Sequence, residues 1–244
     1  MALAALALGP ARGLADFVFV ASGNSSQSGS LNAEADFQVI KDQITVTIKN
    51  LQTDIGNVGQ AISGISFDIS NPPPTSLTLK STSGDVINIA NGGAVTDLGF
   101  TTYSGTSGPD KLSAGRWHLD TLSGNPDPNM IALGGGQPDH LIIGPANSNG
   151  EYPNANGSLK GQFNPFFQDS VTLVLNAPGV MSSSTISNVV FLFGTSSGEF
   201  TLNGKPENIP VVPAPSSVIL LGVGAFGLLG FTAVLRLRWT PAAA

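Results

Sequence analysis

The sequence contains no cysteine and few charged residues. Without cysteine among its 244 residues, the protein has no disulfide bond, no cysteine-ligated zinc and no thiol nucleophile. Only 11% of residues are charged, and 16 acidic against 10 basic residues give a formal net charge of −6. Since no cluster of Lys and Arg precedes the extreme C-terminus, the sequence lacks the basic patch that holds phosphate backbones. We therefore predict that the protein does not bind nucleic acid.

Long amphipathic helical segments are also missing. Instead, 30 glycines and 17 prolines separate short segments that are rich in Val, Ile, Thr and Phe, a pattern typical of strands joined by turns. A hydrophobic content of 41% is enough for a packed core. These features predict one all-β domain over residues 16–205, an antiparallel β-sandwich of jelly-roll-like type.

The clearest strand signal is the segment 43–51, in which Ile44, Val46 and Ile48 alternate with polar residues, as on a half-buried strand. The segment 62–70 alternates less cleanly, and its Gly64 indicates a bulge or bend. The stretch 92–156 has weaker strand signals, so we expect long loops there. The predicted strands are 16–22, 34–40, 43–51, 62–70, 76–81, 85–90, 140–145, 170–177, 186–195 and 198–204.

The first 15 residues resemble the last part of a secretory signal peptide. Residues 2–8 are apolar, Pro10 interrupts them, and the small residues Gly13 and Ala15 occupy the −3 and −1 positions of a cleavage site. This arrangement predicts export and a mature protein that begins near Asp16.

A second apolar segment lies near the C-terminus. Residues 218–235 carry no charge and one polar side chain, Thr232, and about 18 such residues can just span the hydrocarbon of a bilayer as a helix. Arg236, Arg238 and Trp239 follow at once. Cationic residues beyond an apolar helix favour a cytoplasmic end. We therefore predict a transmembrane helix over 218–235, with the preceding chain on the outer side.

The same segment matches G-x-G-x-x-G through Gly222, Gly224 and Gly227. A dinucleotide-binding loop requires a following helix and an acidic residue about 20 positions further on. The last carboxylate, Glu207, instead precedes these glycines. The pattern therefore indicates no nucleotide site, and we predict no cofactor.

The C-terminal stretch "VPAPSSVILLGVGAFGLLGFTAVLRLRW", residues 212–239, resembles the PEP-CTERM sorting signal of Gram-negative bacteria. That signal combines a Pro-Glu-Pro-like motif, a glycine-containing apolar helix and a terminal arginine cluster. Ala214 stands where the family usually has Glu. The sorting-signal residues that the resemblance implies are Val212, Pro213, Ala214 and Pro215 in the recognition motif, with Arg236 and Arg238 as the cytoplasmic stop.

The resemblance also implies partners and a destination. Proteins with this tail look to be processed by an exosortase-type membrane enzyme near the proline motif, with the inner membrane as a transient anchor. They are associated with exopolysaccharide and biofilm matrix. The expected function is that of an exported cell-surface or extracellular-matrix protein of unknown molecular activity, with 206–215 as a proline-rich linker. An extracellular polysaccharide is a further candidate partner.

One motif in the body resembles a hydrolase signature. Residues 194–198 match G-x-S-x-G around Ser196. A nucleophile elbow needs a helix after the serine, and its histidine follows in sequence. Both histidines, His118 and His140, precede Ser196. A glycine- and serine-rich hairpin turn explains the match better.

The histidines have acidic neighbours, Asp120 and Asp139, so a His/Asp pair could act as a general base or bind a metal. Trp117 and Tyr103 are candidate platforms for stacking against a sugar ring. Two alternatives therefore stay open: a carbohydrate-binding module that uses these aromatics, and, with weaker support, an extracellular hydrolase that uses a histidine.

The loop 147–157 offers the oxygens of Asn147, Asn149, Glu151 and Asn154. Calcium takes six to eight oxygen ligands, and this set contains one carboxylate. We interpret it as a solvated loop. The sequence thus predicts no catalytic residue, no metal site and no enzymatic activity.

Overall fold

The computed structural model describes residues 15–104, 117–120, 129–131, 138–196 and 199–207. These residues form an all-β fold, which confirms the predicted class. The only helix among them is a single 3-10 turn, Val58–Gln60. The strands are β1 (Ala15–Ser25), β2 (Gly29–Ile40), β3 (Gln43–Asn50), β4 (Ile62–Ser70), β5 (Thr78–Ile89), β6 (Val95–Ser104), β7 (His118–Asp120), β8 (Asn129–Ile131), β9 (Ile142–Ile143), β10 (Phe166–Asn176), β11 (Thr185–Phe193), β12 (Phe200–Asn203) and β13 (Lys205–Pro206).

The strands form one sheet that nearly closes on itself. Its order is β12-β11-β4-β9-β10-β3-β2-β1-β13, while β5 joins β10 to β6 and β8 joins β4 to β7. The segment 200–206 closes the order, because its first part pairs with β11 and its last part pairs with β1. Each strand of this nearly closed sheet therefore has an inner face and an outer face.

One pairing departs from the predicted antiparallel arrangement. β9 lies parallel to β10, with Ile142 opposite Phe167. Parallel neighbours need a long connection, since the chain must return before it re-enters the sheet in the same direction. The segment 144–165 provides that connection.

The inner face follows from strand alternation. Along β3, every second residue is buried, and Ile44, Val46 and Ile48 are completely inaccessible. The rings of Phe37 on β2 and Phe67 on β4 meet edge-on, with 4.9 Å between their centroids. Because β2 and β4 do not pair, the sheet must curve to bring their inner faces together.

The predicted strands 76–81 and 85–90 are a single strand, β5. Gly84 does not interrupt it, since this glycine is buried and a Cβ there would lie 2.7 Å from the carbonyl oxygen of Ser170. The glycine therefore permits close approach of β10, rather than ending the strand.

The expectation of long loops within 92–156 is wrong in part, since β6, β7 and β8 lie there, while β9 falls within the predicted strand 140–145. The alternation of β6 is obscured, because Leu98 and Phe100 are exposed and Gly99 adopts a positive φ of 83° at an irregularity in the pairing with β5. The predicted irregularity near Gly64 is present: the pairing of β4 with β11 is shifted between Gly64 and Ile62.

Several predicted segments lie outside the described residues. They are residues 1–14 of the signal segment, most of the linker 206–215, the helix 218–235 and all six sorting-signal residues, Val212, Pro213, Ala214, Pro215, Arg236 and Arg238. Within the residues that the structure does describe, no helix has the length and apolar character needed to cross a membrane. The compact β domain ends at Glu207.

Candidate functional site

Two sequence predictions meet in the structure, the candidate aromatic Tyr103 and the His140/Asp139 pair. The hydroxyl of Tyr103 on β6 lies 2.9 Å from Nε2 of His140. The other ring nitrogen of His140, Nδ1, lies 2.7 Å from Oδ1 of Asp139. The side chains of His140 and Asp139 are only 12% and 19% exposed. We refer to Tyr103, His140 and Asp139 as the Tyr-His-Asp network.

Aromatic packing and backbone hydrogen bonds position this network. The ring of Tyr103 meets His140 and Phe167 edge-on, at centroid distances of 5.1 and 6.2 Å. The N–H of His140 donates to the carbonyl of Pro165, and its own carbonyl accepts from Nε1 of Trp117. These contacts hold His140 at a φ of 56°, a left-handed conformation that residues other than glycine rarely adopt.

The hydrogen bonds define where the protons lie. Because a carboxylate only accepts, Nδ1 of His140 carries the proton shared with Asp139. We then assign Nε2 as the acceptor and the hydroxyl of Tyr103 as the donor. Burial raises the pKa of Tyr103, and the negative charge of Asp139 raises it further. The neutral phenol is therefore favoured over a nucleophilic phenolate, and the nitrogen that a general base would use is already engaged.

The remaining aromatic and histidine candidates lie in the interior. Trp117 is 1% exposed, so its ring is not available to stack against a sugar. His118 is buried on β7, and Asp120 ends that strand opposite Asn129. The structure thus brings Trp117 into contact with His140, and it confirms the predicted pairing of His140 with Asp139.

The G-x-S-x-G segment follows β11, and β11 pairs antiparallel with β12, with Phe193 opposite Phe200. Gly194 has a φ of 92°, and the chain continues into a strand rather than a helix. This confirms the hairpin interpretation for Ser196; residues 197 and 198 lie outside the described part of the chain.

In the loop 147–157, the side-chain oxygen of Asn147 bonds within the loop and the side chain of Asn154 bonds outside it. Oδ1 of Asn147 accepts from the backbone N–H groups of Asn149 and Glu151, and Nδ2 of Asn154 donates to Asp54 at 2.7 Å. Across the described ranges, no group of three His, Asp or Glu residues is arranged to hold a metal ion. The exposure of Asn149, Glu151 and Asn154 confirms the solvated loop.

Sequence reasoning missed the residue that anchors this loop. Tyr152 is fully buried, and its hydroxyl donates to the carbonyl of Gly144 at 2.7 Å. Burial raises its pKa above the ordinary range. An aromatic residue in an otherwise polar Asn/Gly loop is the signal that identifies such an anchor, because an exposed loop has no need of one.

We expect Tyr103 and His140 to be energetically coupled. Tyr103→Phe removes the hydroxyl donor and keeps the ring, which should lower the free energy of unfolding by about 0.5–1.5 kcal/mol. His140→Asn suits the positive φ, because Asn tolerates this conformation. A double-mutant cycle by urea unfolding should give a coupling of at least about 0.5 kcal/mol. Strictly additive effects would contradict the hydrogen bond.

A separate titratable group, Asp36, lies on the outer face of β2. Burial raises its pKa, Asp16 adds to the increase, and Lys49 opposes it. Oδ1 of Asp36 is buried without a hydrogen-bond partner among the described residues. Ionised Asp36 is therefore a source of destabilisation in the folded protein.

The pH dependence of this group has a definite sign. Below the unfolded pKa, near 3.8, both states hold the proton; as pH rises through the raised folded pKa, stability is lost. Asp36→Asn should thus raise the unfolding midpoint at pH 7 and have little effect near pH 3. We expect a gain below about 1 kcal/mol, because the group is partly solvated. Glu34→Gln is the control: it removes the ion pair with Lys49, so a similar stabilisation by both variants would contradict the account.

The chain matches no protein-family model, and comparisons with curated proteins and with solved structures give no significant match. The described residues show an all-β fold with a nearly closed sheet and a largely buried Tyr-His-Asp network.

Proposed function

We propose that the protein is exported and acts at the cell surface or in the extracellular matrix. A PEP-CTERM-type signal directs it there, and an exosortase-type enzyme processes that signal. The observation that carries this proposal is the three-part C-terminus: Pro213 and Pro215, then the apolar segment 218–235, then Arg236 and Arg238. The inner membrane is the transient anchor, and the organism is a Gram-negative bacterium.

The described domain supports a role without catalysis. Nε2 of His140 is engaged by Tyr103, and the side-chain oxygen of Asn147 is used within its own loop. For the finer architecture, we propose a jelly-roll-like β-sandwich. The contact between Phe37 and Phe67 supports it, because two strands that do not pair face each other across the core.

The two alternative functions fit the positions of Trp117 and His140 less well. A carbohydrate-binding module that stacks a sugar on Trp117 conflicts with the burial of that ring. A hydrolase based on His140 would have to break the Tyr103 hydrogen bond before the imidazole could accept a proton.

The experiment removes residues 208–244 and follows the protein in the cells that produce it. The full chain should be found in the envelope and matrix fractions. The truncated variant should lose that retention and appear only in the periplasm or the medium. Arg236→Ala with Arg238→Ala tests the cytoplasmic stop alone, and Lys41→Ala with Lys80→Ala, two exposed lysines of the β domain, is the matched control. Equal fractionation of all four proteins would contradict the proposal.

A further inference from the structure

Two rows of side chains, seven of the ten being Ser or Thr, cross the outer face of five neighbouring strands. The strand registers place these residues side by side in the order β2, β3, β10, β5 and β6. Because side chains alternate between faces along a strand, all members of both rows point to the same side of the sheet. The first row is Gln38, Thr45, Val174, Ser81 and Ser104; the second is Asp36, Thr47, Thr172, Ser83 and Thr102. We call these two rows the hydroxyl face.

The hydroxyl face is a regular array that is accessible to solvent. Each of its ten side chains is half-buried or exposed. In the second row, the hydroxyls from Thr47 to Thr102 repeat at the strand spacing of about 4.8 Å, whereas Val174 interrupts the first row. The two rows lie about 6.6 Å apart, two residues along each strand. The hydroxyls of Thr47 and Thr172 lie 3.2 Å from each other, so adjacent groups in the row act as a linked donor and acceptor pair.

The charge of this face favours one class of ligand. The ten positions include one acid, Asp36, and no base. The adjacent Lys49 is paired with Glu34. An anionic polymer would find no cation among the ten positions and would be repelled by the carboxylate of Asp36. A neutral polymer with many hydroxyl groups suits the face, because Thr and Ser both donate and accept.

The face also offers apolar contacts. Thr45, Thr47 and Thr172 each carry a methyl group beside the hydroxyl, and the strand registers place the apolar Val174 between Thr45 and Ser81 in the first row. A pyranose ring likewise has hydroxyl groups at its rim and C–H groups on its faces. The two surfaces therefore match in hydrogen bonding and in apolar character.

We propose that the hydroxyl face binds a neutral polysaccharide along its two rows. This inference deepens the proposed function, on which it rests, by naming the matrix component that the domain contacts. The ligand is a flexible chain rather than a rigid lattice such as ice, because neighbouring strands rotate by about 20–25°. Rows that cross five twisted strands cannot stay flat, but a glycan with rotatable linkages can follow them.

The test is native affinity electrophoresis of the full-length protein in mild non-ionic detergent. The net charge of −6 carries the protein towards the anode, and binding to a polymer cast in the gel slows it. Hydroxyethylcellulose and dextran are the neutral probes, and alginate is the anionic probe. Thr47→Val with Thr172→Val removes two central hydroxyls while keeping the side-chain shape. The matched control is Thr96→Val with Thr201→Val, two exposed strand positions outside both rows.

We expect retardation by at least one neutral polymer, with the apparent Kd raised about tenfold by Thr47→Val/Thr172→Val, since two hydrogen bonds to the ligand are lost. The control pair should leave the Kd unchanged. Circular dichroism checks the fold of each variant. Should the double variant fail to fold, Thr102→Lys places a bulky charge at an exposed position of the face and should also weaken retardation.

Three results would overturn the inference: no retardation by either neutral polymer, equal retardation of the face and control variants, or stronger retardation by alginate. If neither neutral polymer retards the protein and the protein inhibits ice recrystallisation, the face would be assigned to binding an ice lattice instead. Failure here is distinguishable from failure of the proposed function, because the fractionation experiment with the truncated chain measures sorting and does not depend on glycan binding.

Discussion

Phe37→Ala should lower the free energy of unfolding by about 3–5 kcal/mol, because removing a buried aromatic ring loses its transfer free energy and leaves a cavity. Phe37 is completely inaccessible to solvent. Its ring lies between Phe19 and Phe67, at centroid distances of 5.8 and 4.9 Å. The substitution therefore weakens packing on both sides at once. Urea unfolding of the full chain, followed by circular dichroism, measures the change.

The matched control is Phe100→Ala. Phe100 lies on β6 and is 68% exposed, so the same chemical change should alter the free energy of unfolding by less than about 0.5 kcal/mol. Similar losses for Phe37→Ala and Phe100→Ala would contradict the assignment of an inner and an outer face.

Asn50→Leu should cost about 3 kcal/mol or more, because it leaves several buried backbone groups without partners. Nδ2 of Asn50 donates to the carbonyls of Gln60 and Ile142, at 2.8 and 3.0 Å. Its Oδ1 accepts from the backbone N–H of Gln52 at 3.0 Å. One side chain thus joins the end of β3 to the 3-10 turn and to β9. Thermal unfolding of the full chain should show a lower midpoint.

Asn176→Leu is the control for this change. Asn176 ends β10 and its side chain is exposed, so the substitution should change stability by less than about 0.5 kcal/mol. If Asn50→Leu were as mild as Asn176→Leu, the hydrogen bonds of Asn50 would not contribute as described.

The strands that alternate cleanly were predictable from the sequence. β3 keeps the period of two through all eight residues, because one of its faces lies in the core. β6 was not predictable in this way, since both of its large apolar residues near Gly99 are exposed. The parallel pairing of β9 with β10 depends on where a long connection returns, and local sequence carries no signal for that.

The candidate site was predictable in its parts but not as a whole. Tyr103 and Trp117 were candidate platforms for a sugar ring, and His140 was a candidate base or metal ligand beside Asp139. Their contacts join positions 37 and 23 residues apart, and such contacts follow from sheet topology. The burial of Trp117 was also beyond the sequence, because the same residue type serves equally well in a core or on a surface.

The hydroxyl face shows a further limit of sequence reasoning. Thr47, Thr172 and Thr102 lie far apart in the chain and fall in one row only through the registers of β3, β10, β5 and β6. Within each strand, an outward Ser or Thr is an ordinary polar residue. The array exists only once the strands are aligned.

The most direct test of sorting, the central claim, is the intact mass of the native protein, measured separately from the envelope and from the medium. The account predicts a mature species that begins near Asp16 and ends within or next to Pro213–Pro215, with residues 218–235 removed. A species that still carries Trp239 in both fractions would contradict processing and make the apolar segment a permanent anchor.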